Sequence, residues 1–229
     1  MTQRHRKLFS AGERLGAKLF ADWYRFGDGK RPAGIVHYVG GAITEDKYRR
    51  RRSTRPDAIA THFRAALART RLRCVDLLVS SAPPYPPGPR EDILRDFRDH
   101  VVVDLLQQVP APRPHPVAFV GNSTGAFLAT YLAFSVPGSR SLATIAGVGM
   151  EPAAQAGFRP GRGAAEVRIF TNLRDEAAEY NDALSAFLAV HGVPFAVFRR
   201  RGDHDFHDYV ENGSLLEAFR FALESLAGR

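Results

Sequence analysis

The stretch from Val117 to Phe134 (V-A-F-V-G-N-S-T-G-A-F-L-A-T-Y-L-A-F) constrains this chain most. It opens with four apolar residues, turns at Gly121-Asn122-Ser123-Thr124-Gly125, and continues with small and apolar residues at helical spacing. The short apolar run predicts a buried strand, and Phe127, Leu128, Tyr131 and Leu132 predict one face of a helix. A serine between strand and helix, with a glycine two positions away on each side, has the form of a nucleophile elbow. The reason is steric. The serine takes a strained backbone conformation, and a Cβ at either flanking position would crowd the abutting strand or helix.

With that strand-turn-helix context, the chain resembles the α/β-hydrolase family. The resemblance implies an α/β fold, a mostly parallel sheet with helices on both faces. The periodicity along the rest of the chain supplies matching elements. Strands are predicted at Gly34 to Val39, Val75 to Val79, Leu142 to Ala146, Val167 to Asn172 and Phe195 to Phe198. Helices are predicted at Pro56 to Leu72, Glu91 to Val109, around Tyr180, Leu184, Phe187 and Leu188, and at Ser214 to Leu226. The irregular stretch from Gly147 to Glu166 is too short for a lid domain, which predicts a loop flap and an open pocket. Residues 1–229 read as a single domain, since 229 residues hold one full core and are short for two.

Residues 1–31 are expected to cover the edge of the sheet where the resembled family carries its first strands. Leu8, Leu15, Leu19, Trp23 and Phe26 recur at helical spacing and predict an amphipathic helix. The competing reading begins a strand at Trp23 to Phe26 and turns at Gly27-Asp28-Gly29 into the next strand.

The resemblance also assigns site residues. Asp175, after the strand ending at Asn172, matches the family's acid, with Glu176 as the fallback. The residue otherwise reads as an N-cap or first-turn acid of the following helix, and the two roles compete. The segment Gly202-Asp203-His204-Asp205-Phe206 is similar to the family's histidine loop, which puts His204 in the base position and His207 as the alternative. Ser123, Asp175 and His204 stand in the family's chain order. The oxyanion hole would take the N–H of Thr124 and that of Gly41 or Ala42, where Val39-Gly40 departs from the family's His-Gly.

The net charge is +8 with a sequence pI near 10.0, and the basic residues are overwhelmingly arginine. Lys47-Tyr48-Arg49-Arg50-Arg51-Arg52 follows the oxyanion loop. Arg49, Arg50, Arg51 and Arg52 read either as a solvated face or as a clamp for an anionic part of the substrate. The proline-rich Ser81 to Pro89 cannot join a helix or a sheet interior and predicts a stiff wall of the pocket. Nucleic acid is disfavoured, because a binding platform would interleave several aromatic residues with the basic ones, and Tyr48 is alone in this run.

The single cysteine, Cys74, excludes an intrachain disulfide and a thiolate metal site. No cofactor and no metal are expected, since the histidines and aspartates after Gly202 have no second ligand cluster elsewhere. No apolar run spans a membrane and no secretory signal is evident, which predicts a cytoplasmic protein. The implied function is hydrolysis of a small-molecule carboxylic ester or thioester through an acyl-enzyme. Acyl transfer by the same residues is the enzymatic alternative. A basic α/β module binding an anionic partner is the non-enzymatic one. Oligomeric state is not encoded in any pattern of the sequence.

Overall fold

A computed structural model of the chain describes residues 3–11, 18–41, 45–50, 54–81, 90–109, 115–147 and 166–228. Eight strands build one sheet: β1 (Gln3–Ala11), β2 (Lys18–Phe26), β3 (Ile35–Gly40), β4 (Val75–Ser81), β5 (Val117–Asn122), β6 (Ser139–Ile145), β7 (Glu166–Asn172) and β8 (Phe195–Arg200). Their spatial order is β1-β2-β4-β3-β5-β6-β7-β8. From β4 to β8 all neighbours are parallel, while β2 joins β4 and β1 joins β2 in antiparallel register.

Alternate residues of the central strands point to opposite faces, and each face needs an apolar cover. Ile35, Val39, Phe119, Val167 and Ile169 meet α3 (Arg90–Arg98), α5 (Thr124–Ser135) and α6 (Ala178–Val190) on one side. Val36, Tyr38, Ala118, Val120 and Phe170 meet α2 (Pro56–Leu67), α7 (Phe206–Glu211) and α8 (Ser214–Leu226) on the other. Helices thus cover both faces, as the family resemblance implies. The short α1 (Glu45–Arg50) follows β3.

Two elements differ from the sequence reading. Residues 3–11 and 18–26 are paired strands, where the spacing predicts a helix. Positions four apart share a face in a strand as well as in a helix, so Leu19 and Trp23 fit both periods. The aromatic content of K-L-F-A-D-W-Y-R-F favours the extended form. Leu19, Ala21 and Trp23 go to one core, and Tyr24 and Phe26 to the other. Nor is Gly27-Asp28-Gly29 a hairpin turn into β3. The strand β2 pairs with β4, and β3 lies beyond it. The second difference is in the helix predicted from Glu91 to Val109. It runs as α3, then a π-helical segment (Asp99–Leu105), then a last turn α4 (Leu106–Gln108). From the π segment Asp104 accepts hydrogen bonds from Ser10 Oγ on β1 at 2.6 Å and from His100 Nδ1 at 3.0 Å. The flap at 148–165 and the proline-rich wall at 82–89 lie outside the described residues. None of the helices among the described residues is long and apolar enough to cross a membrane.

Candidate active site

At the end of β5 the backbone turns through Ser123 at φ 53°, ψ −131° into α5. This lies outside the ordinary left-handed region and is costly for a residue with a Cβ. The turn is held from both sides, by the Ser123 N–H on the Ile145 carbonyl at 2.9 Å and the Ala126 N–H on the Ser123 carbonyl at 2.8 Å. The flanking glycines are sterically required. A Cβ on Gly121 would stand 2.4 Å from Ala126 Cα, and one on Gly125 would stand 2.2 Å from the Val39 carbonyl oxygen. The strand β3 therefore passes directly against the start of α5. That close passage brings Gly41 beside the serine, with its Cβ direction 3.6 Å from Ser123 Cβ.

Ser123, Asp175 and His204 converge at the C-terminal ends of β5, β7 and β8. Ser123 Oγ lies 3.3 Å from His204 Nε2, and His204 Nδ1 lies 2.7 Å from Asp175 Oδ1. Asp175 is buried, while the imidazole keeps 31% of its surface exposed. Asp175 Oδ1 also accepts the Ala177 N–H at 2.8 Å, and Oδ2 accepts the hydroxyl of Tyr209. Asp175 is not the N-cap of α6, which is Ala177; one of its carboxylate oxygens accepts from both the turn before that helix and the imidazole. Burial alone would raise the Asp175 carboxyl. The hydrogen bonds from His204, Tyr209 and Ala177 outweigh it and hold the carboxyl below its usual range. The Asp175 hydrogen bond raises His204 above the ordinary imidazole value, against partial burial.

The alternatives go elsewhere. His207 is 69% exposed and faces Glu211 at 3.0 Å, one turn along α7. Glu176 lines the cavity and acts on His204 only through its charge. The carboxylates after Gly202 are also engaged. Asp203 pairs with Arg174 Nε at 2.9 Å, and Asp205 accepts the His207 N–H as the N-cap of α7. Among the described residues no three histidine, cysteine, aspartate or glutamate side chains gather as a metal site.

A cavity of about 650 Å³ opens over Ser123 and His204. Its lining includes Gly40, Gly41, Thr124, Tyr48, Ser80, Ser81, Arg174, Glu176 and Phe206. Gly41 and Thr124 line it beside Ser123, whereas Ala42 lies outside the described residues. The Gly41 carbonyl accepts Ser81 Oγ at 2.8 Å, a tether the sequence reading did not include.

The arginine run divides. Arg49 turns to β2, where its Nη1 lies 2.6 Å from Asp22 Oδ2 and its guanidinium stands over Tyr48 at 5.3 Å. Asp22 is 1% exposed and also accepts His5 Nε2 at 2.7 Å. Arg50 is exposed, and Arg51 and Arg52 lie outside the described residues. Among the described residues, the arginine that lines the cavity is Arg174.

Tyr209 and Ser81 are the residues that sequence reasoning missed. Their partners are 34 and 40 positions away, and no local spacing announces such contacts.

No curated protein matches the sequence. Among solved structures, S-formylglutathione hydrolase from Staphylococcus aureus superposes with a TM-score of 0.68 at 12% identity, covering 97% of this chain and 100% of that one. A hyperthermophilic esterase from the archaeon Pyrobaculum calidifontis gives a TM-score of 0.67 at 14% identity, covering 97% and 85%. Esterase LipW from Mycobacterium marinum gives a TM-score of 0.65 at 16% identity, covering 98% and 81%. Identities this low carry the fold and not the activity. The family model for the alpha/beta hydrolase family matches residues 14–227, and the chain belongs to that family.

Proposed function

We propose that this protein is a serine hydrolase that cleaves a small-molecule carboxylic ester or thioester through an acyl-enzyme on Ser123. The observation that carries the reading is the chain of contacts from Ser123 Oγ through the His204 ring to the buried Asp175 carboxylate, at the mouth of one cavity. At 3.3 Å the serine contact is long for a hydrogen bond between these groups, and such contacts tighten when substrate is bound.

A serine hydroxyl is scarcely ionised at neutral pH, so it needs a base. His204 Nε2 accepts the Ser123 proton as Oγ attacks the substrate carbonyl carbon. The imidazolium so formed donates its Nδ1–H to Asp175, which holds the tautomer and offsets the new charge. The Thr124 N–H and the N–H of Gly41 or Ala42 receive the oxyanion. His204 then protonates the departing alcohol or thiol, and a water activated in the same way releases the acid. Among the described residues, Arg174 lines the cavity and is the cation available there to an anionic moiety on the substrate, whereas Arg49 is engaged by Asp22.

A fluorophosphonate probe tests the nucleophile. Labelling of the native protein with none of Ser123→Ala is expected, and equal labelling of both removes Ser123 from the role. Hydrolysis of a p-nitrophenyl ester tests the base. His204→Ala should be inactive and His207→Ala active, and the reverse result would overturn the assignment.

A further inference from the structure

We propose that Tyr209 is a positioning residue that fixes the Asp175 carboxylate for His204, a role that rests on the proposed acyl-transfer site. The residue is on α7, five positions after His204, and its side chain is fully buried. A phenol has one proton and accepts through its oxygen. Here the oxygen accepts the Asn172 N–H at 2.9 Å, and the proton goes to Asp175 Oδ2. Asn172 is the last residue of β7 and Asp175 lies three positions on, so one hydroxyl clasps the strand end to the carboxylate. Rotation of that carboxylate would break the Oδ2 bond in a site where a lost buried hydrogen bond is expensive. The same asparagine steadies the histidine loop, donating from Nδ2 to the Asp203 carbonyl at 2.9 Å.

The contact also has an electronic consequence. A carboxylate that accepts a strong hydrogen bond on Oδ2 carries less charge on Oδ1, and so attracts the Nδ1–H of His204 less. Removing the hydroxyl while keeping the ring should strengthen the pull of Asp175 on the imidazolium and loosen its aim. The charged groups facing His204 are Asp175, Glu176 and Asp205, with the Arg174–Asp203 pair on the same cavity wall. Substitution at position 209 changes none of them.

The test compares native protein, Tyr209→Phe, and protein with 3-fluorotyrosine installed at position 209, whose phenol is a stronger donor. Tyr209→Phe should lower kcat about tenfold, the loss of one hydrogen bond to a charged group, with KM within about twofold. The acid limb of its pH–rate profile and the NMR titration of His204 should move together to higher pH. The fluorinated protein should move both to lower pH with its melting temperature unchanged. An unmoved His204 titration in the fluorinated protein overturns the proposal, also if Tyr209→Phe does not fold. A native protein without Ser123-dependent turnover would instead defeat the hydrolase reading, while the titration still reports on Tyr209.

Discussion

A methyl group on Gly125 would stand 2.2 Å from the carbonyl oxygen of Val39 and 2.3 Å from that of Gly40. The elbow helix and β3 are in backbone contact there, and neither the helix nor the central strand can withdraw without opening the core. Gly125→Ala should therefore destabilise the protein by about 3 kcal/mol, at the upper end of ordinary overpacking. That corresponds to a fall in melting temperature on the order of 6–12 °C for a chain of this size. Gly192 is the control, because a Cβ there meets nothing within 4 Å and has only its φ of +65° against it. Equal melting temperatures for the two variants would mean that the close passage is absent in solution.

The ion pair between His204 and Asp175 sets a pH dependence in two measurements. Turnover needs a neutral imidazole, and Asp175 raises the proton affinity of that imidazole. The acid limb of kcat/KM should lie above the ordinary histidine value of about 6.5. Asp175→Asn should move it down and lower the rate. Stability carries the opposite sign for the two partners. The raised histidine contributes fully below its ordinary value, and that contribution is lost as pH rises through the raised one. The lowered carboxyl contributes above its ordinary value of about 3.9, and loses that contribution as pH falls through the lowered one. Both describe one interaction, so the stability gap between native protein and Asp175→Asn should be widest between about pH 4 and 6.5. Denaturant titrations at pH 5.5 and pH 9 measure it, and a gap equal at both would dissolve the pair.

The parts of the site that were legible in the sequence are those whose geometry is written locally. Gly121, Ser123 and Gly125 fall within five residues, and their steric logic needs only a strand before and a helix after. Asp175 and His204 were legible through the family resemblance, which looks for an acid and a histidine in the loops that follow β7 and β8, and the strand ends of a parallel sheet share one rim. The N-terminal strands were misread because a four-residue recurrence satisfies both secondary-structure periods. Tyr209 and Ser81 were invisible for a different reason. A hydroxyl looks like any other hydroxyl until the chain has folded, and nothing near either residue marks it.

Ser81 makes its own prediction. Its hydroxyl donates to the Gly41 carbonyl at 2.8 Å, and Gly41 lies against the Ser123 side chain. Loss of a donor from an oxyanion hole costs on the order of 3 kcal/mol of barrier, and misaiming one costs less. Ser81→Ala should lower kcat by about three- to tenfold, with KM unchanged, because the oxyanion forms only after binding. A rise in KM at constant kcat would make Ser81 a ground-state contact instead.

Arg49 and Arg174 separate the two readings of the basic surface. Arg49 pairs with Asp22, a carboxylate that is 1% exposed and has the His5 ring as its other partner. Taking one partner from a buried ion pair costs about 3–5 kcal/mol. Because Arg49 keeps 23% of its side chain exposed and His5 remains, Arg49→Gln should cost about half of that. It should leave the ratio of KM values for anionic and neutral esters unaltered. Arg174 is 76% exposed and paired with Asp203 on the cavity wall, so Arg174→Gln should leave stability within about 0.5 kcal/mol. It should raise KM for carboxylate-bearing esters over neutral ones by about twofold to fivefold, the range of a solvent-exposed charge contact. The readout is a pair of KM values for each variant, on esters differing only in a terminal carboxylate. If Arg49→Gln shifted that ratio and Arg174→Gln did not, the clamp would belong to α1, and the cavity wall would have no part in holding the anion.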